Sequence, residues 1–165
     1  MLNYIPQCNF RRKDNLASGD PEKMVVGAEL SCEFLAVQRA INSASPGLYT
    51  ITTDFRAKDS LPHGNNAKLV RGTALSTEFT NIATAIATLG GSYTPVYDGA
   101  TLDSGTAEIT GDPIQDEFDA ISLAIDAIRD ANGSFYIVTD ETDGSYSFIL
   151  TEDSDETFEI TEGSL

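Results

Sequence analysis

GAELSCEFLAVQRAI (residues 27–41), GTALSTEFTNIATAI (residues 72–86) and GDPIQDEFDAISLAI (residues 111–125) are three ungapped copies of one pattern. Each copy opens with Gly, carries Leu or Ile at its fourth position and Glu-Phe at its seventh and eighth, and closes on Ala-Ile. The apolar positions of the first are Leu30, Phe34, Val37 and Ile41; those of the second are Leu75, Phe79, Ile82 and Ile86; those of the third are Ile114, Phe118, Ile121 and Ile125. Steps of four, three and four residues at about 100° per residue put each set within roughly 60° on one helix face. A strand needs period two, and no copy has it. The pattern therefore predicts three amphipathic helices. Repeated units of this kind bury their apolar faces against one another, so Phe34, Ile41, Phe79, Ile86, Phe118 and Ile125 are the expected packing residues.

Local signals suggest where the helices begin. Ser31 and Ser76 are candidate N-caps, which places Glu33 and Glu78 in the first turn, where the helix dipole favours negative charge. In the third copy Asp112, Pro113 and Gln115 read as a cap, a first-turn proline and a capping box, giving an earlier start.

Each helix is followed by Gly, then an aromatic, then Asp: GLYTITTD (residues 47–54), GSYTPVYD (residues 91–98) and GSFYIVTD (residues 133–140). Tyr, Phe, Ile, Val and Thr favour strands, and Pro95 restricts the second segment to an edge or irregular strand. YSFILT (residues 146–151) is placed to pair with residues 135–139 across Asp143-Gly144, and TFEIT (residues 157–161) is a further short strand. The expected class is α+β. Three helix–turn–strand repeat units (residues 27–54, 72–98 and 111–140) build a core over residues 24–150 with a small helical centre and short antiparallel strands. An extended N-terminal arm precedes it (residues 1–23), carrying Arg11 and Arg12 as candidate interaction residues, and an acidic segment follows it (residues 151–165).

Charge is uneven. Residues 1–102 hold nine acidic and nine basic side chains, whereas residues 103–165 hold seventeen acidic ones and Arg129, so the whole net charge of −16 lies in the last stretch. Such a surface repels phosphates and argues against nucleic acid as a partner. Its readings are a solvated face, a dock for a basic partner, or cation binding at Asp140, Glu141 and Asp143 or at Asp153, Asp155 and Glu156. Neither cluster has the spacing of the twelve-residue calcium loop. No stretch is long and apolar enough to span a membrane, and no signal peptide is evident. Cys8 and Cys32 lack metal-site spacing and suit a reducing compartment. The only histidine is His63, in a Pro-His-Gly turn, and no nucleophile elbow, P-loop or dinucleotide fingerprint is present. The expectation is a protein that is not an enzyme, with no cofactor and no metal.

The helix pattern resembles a segment near the N-termini of bacteriophage tail fibre and tail appendage proteins, in which Gly-x-x-Leu/Ile-Ser/Thr-x-Glu-Phe leads into a helix ending in Ala-Ile. The matching residues are Gly72, Leu75, Ser76, Glu78, Phe79, Ile82, Ala85 and Ile86, with their counterparts in the other copies. The resemblance implies a virion structural protein, made in the host bacterial cytoplasm and placed in the tail or head–tail region. It also implies tail, portal or adaptor and fibre proteins as partners, and a homo-oligomer. The chain lacks the β-rich shaft and receptor-binding tip of a fibre, which favours an adaptor or connector. The alternatives are a capsid decoration or cement protein, and a soluble ligand- or cation-binding module.

Overall fold

The computed structural model describes residues 2–17, 20, 22, 24–62, 70–97, 99 and 110–131, and the backbone of residues 135–139, 146–151 and 157–161. The chain divides into two compact units, Met1–Asp126 and Ala127–Leu165.

The first unit is built on three long helices: α2 (Gly27–Ala44), α4 (Gly72–Thr88) and α5 (Gly111–Ala131), the last running on into the second unit. Among the described residues, the short helices α1 (Arg11–Asp14) and α3 (Phe55–Asp59) lie in the segments leading into α2 and α4. The predicted stripes form the core. Leu30, Phe34, Val37, Ile41, Leu75, Phe79, Ile82, Ile86, Ile114, Phe118, Ile121 and Ile125 are all fully buried. The rings of Phe34, Phe79 and Phe118 touch one another in all three pairings, with centroids 5.2–5.6 Å apart. Three equivalent positions of the repeat thus meet at one centre, within a single chain.

All three helices begin at the repeat's glycine, upstream of Ser31 and Ser76 and in register with one another. The expected serine caps and the early start of the third helix are therefore corrected. The caps come from far away in sequence. Asp59, at the end of α3, accepts from the Gly27 and Ala28 amides at 2.8 and 2.7 Å. Asp14, at the end of α1, accepts from the Gly111 and Asp112 amides, both at 2.7 Å. Each carboxylate satisfies two orphan donors and faces the positive end of the dipole. The glycines make this approach feasible: a Cβ on Gly27 would overlap the Phe55 carbonyl, and one on Gly111 the Phe10 carbonyl. An alanine in an ordinary exposed helix position stabilises by about 0.5–1 kcal/mol over glycine. Here Gly27→Ala or Gly111→Ala is expected to destabilise by about 1–3 kcal/mol, because backbone must move. Urea unfolding reads that inversion of sign.

The α+β expectation is overturned. No strand occurs among the described residues of the first unit, and the segments after α2 and α4 carry no ladder pairing there. Their backbone groups are taken by helix side chains instead. Asn42 accepts from the Tyr49 amide at 3.0 Å and donates to its carbonyl at 2.8 Å. Gln38 accepts from the Ile51 amide at 3.0 Å, and Glu78 from those of Thr52 and Thr53 at 2.8 and 2.7 Å. A segment whose donors are occupied this way has nothing left for a ladder. The repeat is helix plus strap, not helix–turn–strand. In the second unit the backbone forms β1 (Phe135–Thr139), β2 (Tyr146–Thr151) and β3 (Thr157–Thr161), paired antiparallel in that order. Phe135 stands opposite Leu150, and Ser147 opposite Thr161.

Candidate functional site

The straps repeat as regularly as the helices. Tyr4, Tyr49 and Tyr93 open them; six residues later stand Phe10, Phe55 and Gly99; four further on come Asp14, Asp59 and Asp103. Asp103 lies outside the described residues.

Each strap is gripped by one buried glutamate. Tyr4 donates its hydroxyl to Glu33 Oε2 at 2.7 Å, while the Gln7 and Cys8 amides donate to Oε1. Tyr49 donates to Glu78 Oε2 at 2.9 Å, and Oε1 collects the two threonine amides together with the Thr52 hydroxyl at 2.7 Å. Tyr93 donates to Glu117 Oε2 at 2.5 Å, and the Val96 and Tyr97 amides reach Oε1 at 2.7 and 2.6 Å. These glutamates are 0–2% exposed. Burial of a carboxylate is tolerated because several donors converge on it.

Every strap also reaches a second helix, so the three close a cycle. The first grips α2 and caps α5, with Phe10 stacked on Phe118 at 5.8 Å. The second grips α4 and caps α2, with Phe55 stacked on Phe34 at 5.3 Å. The third grips α5 and meets the N-terminal part of α4, where the Gly99 amide donates to Ser76 Oγ at 2.7 Å and Ser76 donates to the Tyr97 carbonyl at 2.9 Å. The fifth repeat position serves this contact in all three sectors: Ser31 accepts from the Arg56 amide and Gln115 from that of Phe10, both at 3.0 Å. The result is an internal pseudo-threefold arrangement of helix and strap.

The packing residues expected from sequence, Phe34, Ile41, Phe79, Ile86, Phe118 and Ile125, are all brought into this core. Arg11 lies on the surface and pairs with Asp112 at 3.1 Å and Asp116 at 2.5 Å. Exposed Arg12 stands 3.4 Å from Glu22. The N-terminal arm packs on its own chain, with Leu2, Tyr4 and Phe10 buried. Helix-start electrostatics accounts for Glu33 and Glu78 from sequence alone; the role of these two and of Glu117 as strap anchors is the main feature that sequence reasoning misses. The signal was present. A charged residue at the border of an apolar stripe recurred in every copy, with a tyrosine upstream each time, 29, 29 and 24 residues away.

Burial and the adjacent carboxylate push the phenols of Tyr4, Tyr49 and Tyr93 well above their ordinary value of 10.0. A raised folded-state value keeps its full stabilisation below pH 10 and loses it as pH rises further, because the unfolded chain then releases protons that the folded one retains. With three such groups, stability is expected to fall by about 4 kcal/mol per pH unit above roughly pH 10. Circular dichroism and tyrosinate absorbance followed together check this: three of the six tyrosines should ionise only as the helices unfold. Ionisation of all six near pH 10 with the helices intact would contradict it.

Among the described residues every buried side-chain polar atom has a partner, and no group of three or more His, Cys, Asp and Glu is placed to hold a metal ion. The two acidic clusters weighed as cation sites, and His63, lie outside the described residues. No helix among the described residues is long and apolar enough to cross a membrane. No family model matches this sequence, and no curated protein or solved structure is significantly similar to it.

Proposed function

We propose that this chain is a non-enzymatic connector of a bacteriophage virion, seated in the tail or head–tail region, where it anchors a fibre or other appendage. The observation that carries the reading is the closed cycle of three helix–strap sectors around Phe34, Phe79 and Phe118. One chain with three near-equivalent sectors offers an axis on which a trimeric partner can be seated, since matching symmetry lets one kind of contact repeat. The resemblance of the Glu-Phe helices to tail-appendage segments supports the same placement. The non-enzymatic part rests on how the buried polar groups are used: Glu33, Glu78 and Glu117 are surrounded by donors from their own straps.

The outer faces are not equivalent. α2 exposes Cys32, Leu35 and Arg39, α4 a run of Thr73, Thr77, Thr80, Thr84 and Thr88, and α5 Asp112, Asp116 and Leu123. A threefold interior with three different exteriors suits an adaptor, which meets a symmetric partner on its axis and dissimilar neighbours around it. Because the apolar stripes are consumed within one chain, contacts to other copies and to virion proteins fall to these outer surfaces. The test is to delete the gene in the phage that carries it and image the particles. The expected result is intact capsids and tails that lack an appendage. Complete appendages would overturn the reading, and loss of capsid integrity with whole tails would replace it by a decoration role.

A further inference from the structure

The two cysteines of the chain fall on a single strap–helix contact. Cys8 lies four residues after Tyr4, and Cys32 immediately precedes Glu33. The corresponding pairs in the other sectors are Thr53 with Thr77 and Tyr97 with Asp116, so the repeat itself does not call for sulfur here. The Cys8 amide donates to Glu33 Oε1, and the Cys8 Sγ lies 3.9 Å from the Glu29 carbonyl oxygen. On the helix surface Glu29 lies between Glu33 and Cys32, about 40° from the first and about 60° from the second. A side chain three residues beyond a helical carbonyl stands beside it; in the same helix Ser43 donates to the Ala40 carbonyl at 2.7 Å. Cys32 therefore adjoins the carbonyl that the Cys8 sulfur touches. Both thiols are free, Cys8 half-buried and Cys32 exposed.

We propose that Cys8 and Cys32 form a redox latch that fastens the first strap to α2. The oxidant is a small disulfide such as oxidised glutathione. The accessible Cys32 thiolate attacks one sulfur of the oxidant, forming a mixed disulfide and expelling one thiolate. Cys8 then gives its proton to solvent and attacks Cys32 Sγ, so that the Cys8–Cys32 bond forms and the second thiol leaves. Two protein thiols are oxidised and one disulfide is reduced to two thiols. Burial and then the Glu33 carboxylate push the Cys8 thiol up to about 12, which makes the second step slow at neutral pH and faster in base. The first strap joins α5 to α2, so the latch makes that closure of the cycle covalent.

The experiment is incubation of the folded protein with oxidised glutathione at mildly alkaline pH, followed by non-reducing peptide mapping and thermal unfolding. A monomer lighter by two hydrogens, with the peptides containing Cys8 and Cys32 joined, is expected. Its Tm should rise by about 5–10 °C and fall back with dithiothreitol. Cys8→Ser and Cys32→Ser should keep the reduced protein's helix signal and show no oxidant-dependent shift. Cys32 left carrying glutathione with Cys8 still free after long incubation would overturn the proposal, as would a cross-link between two chains.

Discussion

Glu78→Ala is expected to destabilise the protein by about 3–5 kcal/mol, with no new cavity large enough to account for it. The wild-type carboxylate accepts from the Tyr49 hydroxyl, the Thr52 and Thr53 amides and the Thr52 hydroxyl. Alanine removes the acceptor and leaves a buried phenol and two part-buried backbone donors facing an emptied position. A lone unsatisfied donor costs about 1–3 kcal/mol, so the loss of several at once is severe even after the strap relaxes. Glu78→Gln keeps one acceptor oxygen but turns an NH2 group toward the donors, and should fall between the two. Glu22→Ala is the control: its side chain is 72% exposed, and the change should stay within about 0.5 kcal/mol. A second reading separates anchor from bulk. In a folded Glu78→Ala protein the Tyr49 phenol should move down toward its ordinary value, since one of the causes holding it up is gone. Urea unfolding and a tyrosine titration supply both numbers.

Phe79→Asp is expected to abolish the fold. The ring lies at the common centre, against Phe34 at 5.5 Å and Phe118 at 5.6 Å, and is fully buried. Deleting an aromatic ring from such a place costs about 3–5 kcal/mol. A carboxylate there also has no donor to meet it, which adds several kcal/mol more. Domains of this size are stable by about 5–15 kcal/mol in total, so the sum reaches the whole margin. The far-ultraviolet helix signal should be lost at room temperature, while Phe79→Leu should remain folded with a lowered Tm.

The helices were legible because the apolar period is 3.6 and recurs three times; Phe34, Phe79 and Phe118 could be picked out as packing residues on that ground alone. The ends were not, because the groups that cap α2 and α5, Asp59 and Asp14, arrive from other parts of the chain. Local cap rules then fastened on Ser31 and Ser76, whose hydroxyls instead accept amides of the straps. The straps are hidden from sequence for a related reason. Tyr49, Ile51 and Tyr93 have real strand propensity, but propensity is silent on where backbone donors go, and here they go to Asn42, Gln38, Glu78 and Glu117. The anchors themselves hid behind a sufficient local explanation. A glutamate in the first helical turn is unremarkable, and only the true start at Gly27 or Gly72 moves it into the second turn, beside the apolar face.

The central claim is that one chain closes the threefold centre by itself. Nuclear Overhauser contacts among the ring protons of Phe34, Phe79 and Phe118 test it most directly, recorded once on phenylalanine-labelled protein alone and once after refolding with a tenfold excess of unlabelled chain. Cross-peaks for all three pairs, at full intensity per labelled chain in both samples, are predicted. Cross-peaks that are absent, or that fade as labelled chains are diluted, would place the contacts between chains and contradict the account.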